Sequence, residues 1–163
     1  MFYGLTRPNQ LHEMIEDVAG LFPGSNFSDT VKLLTETCMQ ETKLGTYRDP
    51  SADGAGRGVS QFDKIAVGDT INRSARHHQA IIAEFGIDLA QVDHNDLDFS
   101  PLLCVVLMRL KYMLVPSALP STTEGRAAYW KRYYNTVAGK GTESEYMANA
   151  LDIRYIISDG VYV

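Results

Sequence analysis

The run LLCVVLMRLKYMLV, residues 102–115, is apolar almost all the way round a helix. A helix with no polar face must be enclosed by other elements, so this segment is expected to be a buried central helix. Ser100-Pro101 opens it with a capping serine and a proline at the first helical position. Pro116 and Pro120 end it. The run is shorter than the ~20 residues of a membrane span, and Arg109 and Lys111 interrupt it. No stable membrane insertion is therefore expected.

With 163 residues, the chain is expected to form one domain over 1–163 around a single core. A net charge of −5 leaves no basic stripe for nucleic acid and no attraction to an anionic surface. Cys38 and Cys104 each lie in an apolar, helix-like run and read as buried free thiols, with a single disulfide as the alternative. Their spacing fits no zinc motif. The start, MFYGLTRPNQ, lacks the charge and apolar stretch of a secretory signal. Nothing in the sequence sets an oligomeric state.

Periodicity predicts a helix over Gln10–Phe22, with Leu11, Ile15, Val18 and Phe22 on one stripe and Pro23-Gly24 as its breaker. Ser28 or Asp29 can cap a second helix running to Glu41. Gly45–Asp63, with four glycines, reads as turns and a short hairpin. Asp69 can cap a third helix from Thr70 to Phe85, closed by Gly86. VDHNDLDF is an acidic connector. Two capping boxes, Ser121 with Glu124 and Thr142 with Glu145, open a helix carrying Tyr129-Trp130 and Tyr133-Tyr134 and a shorter one around Tyr146–Leu151. The tail IRYIISDGVYV suits a strand or an extended arm.

Val31, Leu34, Cys38 and Glu41 follow spacings of three, four and three, which is one helical face. Glu41 thus continues an apolar stripe to the helix end. Desolvation and the C-terminal end of the helix dipole both disfavour a charged carboxylate there. A carboxyl kept protonated near neutral pH is what a glycosidase uses as general acid. Position alone favours the plainer reading, a carboxylate at an exposed helix end. Glu36 falls off the stripe and ranks as a solvated or structural carboxylate. A second carboxylate would come from Asp49, Asp53 or Asp63, where an inverting displacement needs the pair ~6.5–9.5 Å apart. Loop aspartates more often bond nearby backbone amides; Asp53, before Gly54, is open to that reading, and Asp63 less so.

These residues carry a resemblance to goose-type lysozymes and the related soluble lytic transglycosylases. Gln40-Glu41-Thr42 resembles their catalytic "ES" helix end, Gly58-Val59-Ser60-Gln61 their "GLMQ" strand, and Gln61-Phe62-Asp63-Lys64 the goose-type "QVDK" extension. Tyr133-Tyr134-Asn135-Thr136 with Ala138-Gly139 resembles "AYNAG" after a one-residue insertion. The resemblance runs over residues 30–141 as an ordered set of motifs. Threonine replaces the serine after the glutamate. Serine replaces the methionine before the glutamine, so that wall of the cleft is expected to differ.

The resemblance implies a mainly α (α+β) lysozyme-like fold, bilobal, with a small loop or hairpin region beside the cleft. It implies cleavage of the MurNAc–GlcNAc bond of peptidoglycan glycan strands with no metal or organic cofactor. Glu41 would protonate the leaving oxygen. Either the muramic 6-hydroxyl attacks, as in a transglycosylase, or water held near Asp63 or Asp53 attacks, as in a muramidase. Ser60, Gln61 and Phe62 would bind the sugars, and Tyr134 and Asn135 would line the cleft. YWKRYYNTVAGKGT resembles segments of bacteriophage lytic proteins, which implies an endolysin released through a holin or a virion component acting in the periplasm or wall. The alternatives are a catalytically silent glycan-binding or virion structural protein, or a chitinase-like hydrolase.

Other constellations read as scaffold. His77-His78 point about 100° apart on a helix and make poor metal ligands. Asp93, His94, Asp96 and Asp98 lack the glycine and final glutamate of a calcium loop. Trp130 and Tyr133 divide evenly between core packing and sugar stacking.

Overall fold

A computed structural model describes residues 1–22, 26–48, 54–135 and 139–157. It is mainly helical: α1 Pro8–Leu21, α2 Phe27–Thr42, α3 Lys64–Arg73, α4 His78–Phe85, α5 Pro101–Met113, α6 Thr123–Trp130 and α7 Glu143–Ile156. A two-stranded antiparallel hairpin, β1 Gly56–Arg57 and β2 Phe62–Asp63, follows α2 with Gly56 opposite Asp63 and Arg57 opposite Phe62.

The central helix is as expected. Ser100 Oγ accepts from Leu103 N–H at 3.3 Å, Pro101 sits at the first turn, and every residue from Leu103 to Leu110 is buried. Helices α1, α2 and α3 pack on it. The stripe Leu11, Ile15, Val18 and Phe22 is buried in that core. Cys38 and Cys104 are free buried thiols, and burial pushes Cys104 up to about 11. Among the described residues, no helix is long and apolar enough to cross a membrane.

Several element ends differ from the sequence reading. Asn26, not Ser28 or Asp29, caps α2, its side chain accepting from Asp29 N–H. The Asp29 carboxylate accepts from the Asn26 side-chain amide and lies 3.8 Å from Arg126. The third helix starts earlier because Asp63, in extended backbone, accepts from Ala66 N–H at 2.8 Å. Asp69 is therefore inside the helix and pairs with Arg73 at 3.2 Å. The helix then breaks at Ser74 into a 3₁₀ turn before α4, which Gly86 closes in a left-handed conformation. Thr122, one residue beyond Ser121, caps α6. The Thr142–Glu145 box forms as read, but α7 continues through Arg154 and Tyr155 to Ile156, where the sequence suits a strand or an extended arm. Residues 158–163 and the Pro23-Gly24 breaker lie outside the described residues.

The hairpin turn is held from below. Gly58 has φ +71°, and a Cβ there would stand 2.3 Å from Cys104 Sγ and 2.5 Å from Leu97 O, so the turn sits directly on α5 and the acidic connector. That connector is structural. Asp98 accepts from the Gly58 N–H at 3.1 Å and pairs with Arg57, and His94 Nε2–H donates to Phe62 O at 2.8 Å.

Glu36 is enclosed, which removes the solvated reading. Arg126 grips it through two 2.7 Å bonds, and the Tyr146 hydroxyl donates to it at 3.0 Å. The three side chains join α2, α6 and α7. Losing one partner strands a buried charge. Arg126→Met is therefore expected to cost about 3–5 kcal/mol in urea unfolding. Arg126→Lys should recover only part of that, because an ammonium cannot span both oxygens.

Candidate functional site

Glu41 stands in the last turn of α2, half-buried. The chain reverses immediately after it: Lys43 and Leu44 are both left-handed, with their N–H groups bonded to Met39 O and Cys38 O. Two consecutive non-glycine residues at positive φ are uncommon and are held here by the helix-end bonds.

Thr42 fixes what lies opposite. Its hydroxyl donates to Val59 O in the hairpin turn at 2.7 Å and accepts from Gly45 N–H at 3.2 Å. The next turn carbonyl, Ser60 O, accepts the Tyr134 hydroxyl at 2.6 Å. The hairpin is thus pinned on one side by the neighbour of Glu41 and on the other by Tyr134.

Tyr134 comes from a π-helical turn, Lys131–Asn135, that continues α6. Such turns are rare and occur often at functional sites. Its ring stacks on Tyr112 at 5.5 Å and meets Phe62 edge-on at 5.5 Å. Tyr112 in turn donates to Thr37 Oγ1 at 2.9 Å, because that hydroxyl already donates to Leu33 O. Lys111 holds its ammonium 5.3 Å from both the Phe62 and Tyr134 ring centroids.

The Glu41 carboxyl lies among these groups. Trp130 Nε1–H donates to Oε1 at 3.0 Å. No Lys or Arg pairs with Glu41 among the described residues. Burial raises its pKa from 4.5 to about 7, with the Trp130 bond pulling the other way. Burial also pushes the neighbouring Cys38, Tyr112 and Tyr134 well up, so all three stay neutral around the carboxyl at pH 7.

The other expected site residues take different parts. Asp63 is exposed and caps α3, on the wall of a groove of about 760 Å³. Its carboxylate bonds a nearby backbone amide, the role generally common for loop aspartates. Asp53 lies outside the described residues, as does Asp49. Ser60 and Phe62 are enclosed, so their side chains support the turn. Gln61, partly buried, donates its amide to Gly58 O at 2.9 Å and Tyr3 Oη at 3.3 Å. Asn135 accepts from Lys131 Nζ at 2.8 Å.

Sequence reading missed the partner role of Trp130, the Lys111 perch and the Lys131 clamp. Lys111 carried a signal, as a cation interrupting an otherwise apolar helix. A second groove, of about 660 Å³, runs past Gln40, Lys43, Tyr47, Gly141 and Asn149. Gln40 precedes Glu41, and Gly141 abuts Trp130. Among the described residues, no three His, Cys, Asp or Glu side chains converge as metal ligands would.

No protein-family model matches the chain, and no curated protein or solved structure does either.

The raised Glu41 pKa has a stability consequence. The folded state prefers the protonated carboxyl, so this contribution is complete below the unfolded pKa near 4.5 and is lost as pH rises through about 7. Glu41→Gln, which stays neutral, should match the parent at pH 4.5 and exceed it at pH 8.5 by up to about 3 kcal/mol. Urea unfolding at the two pH values measures this.

Proposed function

We propose that the chain is a peptidoglycan-cleaving glycosidase in which Glu41 is the general acid. The observation that carries this reading is the half-buried Glu41 carboxyl, bonded to a neutral indole N–H, with its pKa raised to about 7. A perturbed carboxyl without a cation partner is a mark of a working site more than of a structural one. The lysozyme-like resemblance supplies the substrate, and the order of parts supports it: glutamate at a helix end, hairpin, buried helix, aromatic turn. The groove past Gln40, Tyr47 and Gly141 offers space for a glycan strand at the end of α2 that carries Glu41, with exposed Tyr47 as a ring for a sugar face.

In the reaction, Glu41 gives its proton to the glycosidic oxygen as the C1–O bond breaks. The resulting carboxylate then takes the proton of the muramoyl 6-hydroxyl as that oxygen attacks C1, which closes a 1,6-anhydro ring and restores the acid. This route needs no second carboxylate. Engagement of Asp63 as the α3 cap favours it over attack by water, which needs a base. The lytic transglycosylase reading therefore comes before the muramidase one. The setting would be the bacterial wall, reached through holin-assisted release or in a virion.

Mass spectrometry of purified peptidoglycan after incubation with the protein should show anhydro-muropeptides. Reducing-end products would make it a hydrolase, with Asp63 and Asp53 the next residues to test. Absence of products would leave a silent glycan-binding or virion structural protein, and cleavage of chitin oligomers instead would mean a chitinase-like enzyme. Glu41→Gln should lower the rate by about 10²–10⁴-fold while the fold is kept. In the parent, the rate should fall about tenfold per pH unit above pH 7, as the acid loses its proton.

A further inference from the structure

Trp130 is the one tryptophan of the chain, and it is fully buried. Its ring is fixed on several sides. Tyr146 packs against it at 5.2 Å. The Gly141 backbone presses on its far edge, where a Cβ would stand 2.7 Å from Cη2. Lys131 ties that segment down, donating to Asn135 Oδ1, Gly139 O and Gly141 O, each at 2.8 Å. Four residues earlier on α6, Arg126 locks the same helix to α2 through Glu36. The indole is therefore held in place by contacts unconnected with Glu41, and its N–H is aimed at Glu41 Oε1, 3.0 Å away.

An indole N–H can only donate. In a neutral carboxyl the better acceptor is the carbonyl oxygen, so the bond selects Oε1 for that role. We propose that Trp130 is a positioning residue for Glu41: its N–H holds Oε1 as the acceptor and leaves the acid proton on Oε2, the oxygen that delivers it. The catalytic part of this inference rests on the glycosidase reading above; the tuning of the carboxyl does not. When Glu41 ionises, the same bond becomes charge-assisted and stronger. Among the described residues, the titratable groups facing the carboxyl are Cys38 from α2, Tyr112 from α5 and Tyr134 from the π turn, and burial keeps each of them protonated near neutral pH. A change at the indole between pH 5 and 9 thus reports Glu41.

The indole N–H signal of the unmodified protein, followed by ¹⁵N–¹H NMR from pH 5 to 9, is the first test and needs no variant. A single step with a midpoint near 7, abolished in Glu41→Gln, is expected. A flat signal, or a step that persists in Glu41→Gln, would overturn the inference. Trp130→Phe keeps the ring and removes the donor. In that variant the Glu41 carboxyl ¹³C midpoint should rise by about one pH unit, because the bond favoured the charged form. The alkaline limb of the rate profile should move with it, and plateau kcat should fall about tenfold at unchanged KM. An unmoved midpoint in the folded variant would also overturn the inference. A parent that cleaves nothing while its indole still steps near pH 7 would remove the glycosidase reading and support the tuned pair.

Discussion

The ion pair between Glu36 and Arg126 is the constraint on which the rest of the site depends. It is a closed charge pair between α2 and α6, 3% exposed on both sides, with the Tyr146 hydroxyl bringing in α7. A bidentate guanidinium–carboxylate contact fixes orientation as well as distance. The second bridge between the same two helices, Trp130 to Glu41, lies five residues on along α2 and four along α6. Burial of a charge pair is seldom a net gain in stability over a well-packed apolar core. Here the pair gives register: it sets where α6 presents its last residue, and so which atom meets Glu41.

The two glutamates of α2 separate by environment. Glu36 meets a guanidinium and a phenol, at both of its oxygens. Glu41 meets a neutral indole at one oxygen, with neutral side chains around it. The first arrangement compensates a carboxylate fully; the second leaves desolvation largely unopposed. The difference between a carboxyl held charged and one pushed toward its neutral form is thus the presence of one cation.

Much of this was legible in the chain. The buried α5, the stripe of α1 and the continuation of an apolar face to Glu41 all follow from periodicity, because burial is what periodicity records. The Thr142–Glu145 box was legible because a capping box is a local device. What failed was local chemistry with two solutions. Asp63 and Asp69 are both plausible caps, and Asn26 competes with Ser28 and Asp29; the backbone around them decides, and a sequence does not contain it. The π turn was hidden for a different reason: a 3.6-residue period assumed through Tyr134 conceals one extra residue per turn. The pairings of Glu36 with Arg126 and Glu41 with Trp130 span 90 and 89 residues, and nothing local marks either.

Thr42 and Ser60, where the chain differs from the motifs it resembles, act on the same physical terms. Threonine at 42 still supplies the hydroxyl that holds Val59 O and receives Gly45 N–H, so the hairpin is anchored as a serine would anchor it. Its added methyl is buried, where it stiffens χ1 and narrows the choices of that hydroxyl. Serine at 60 is a larger change in character but not at the surface, because the residue is wholly enclosed. Its carbonyl, which any residue would provide, is what Tyr134 uses. The hairpin is therefore tied to Thr42 and Tyr134 through backbone oxygens, while the Gln61 amide, bonded to Gly58 O, holds the turn from within.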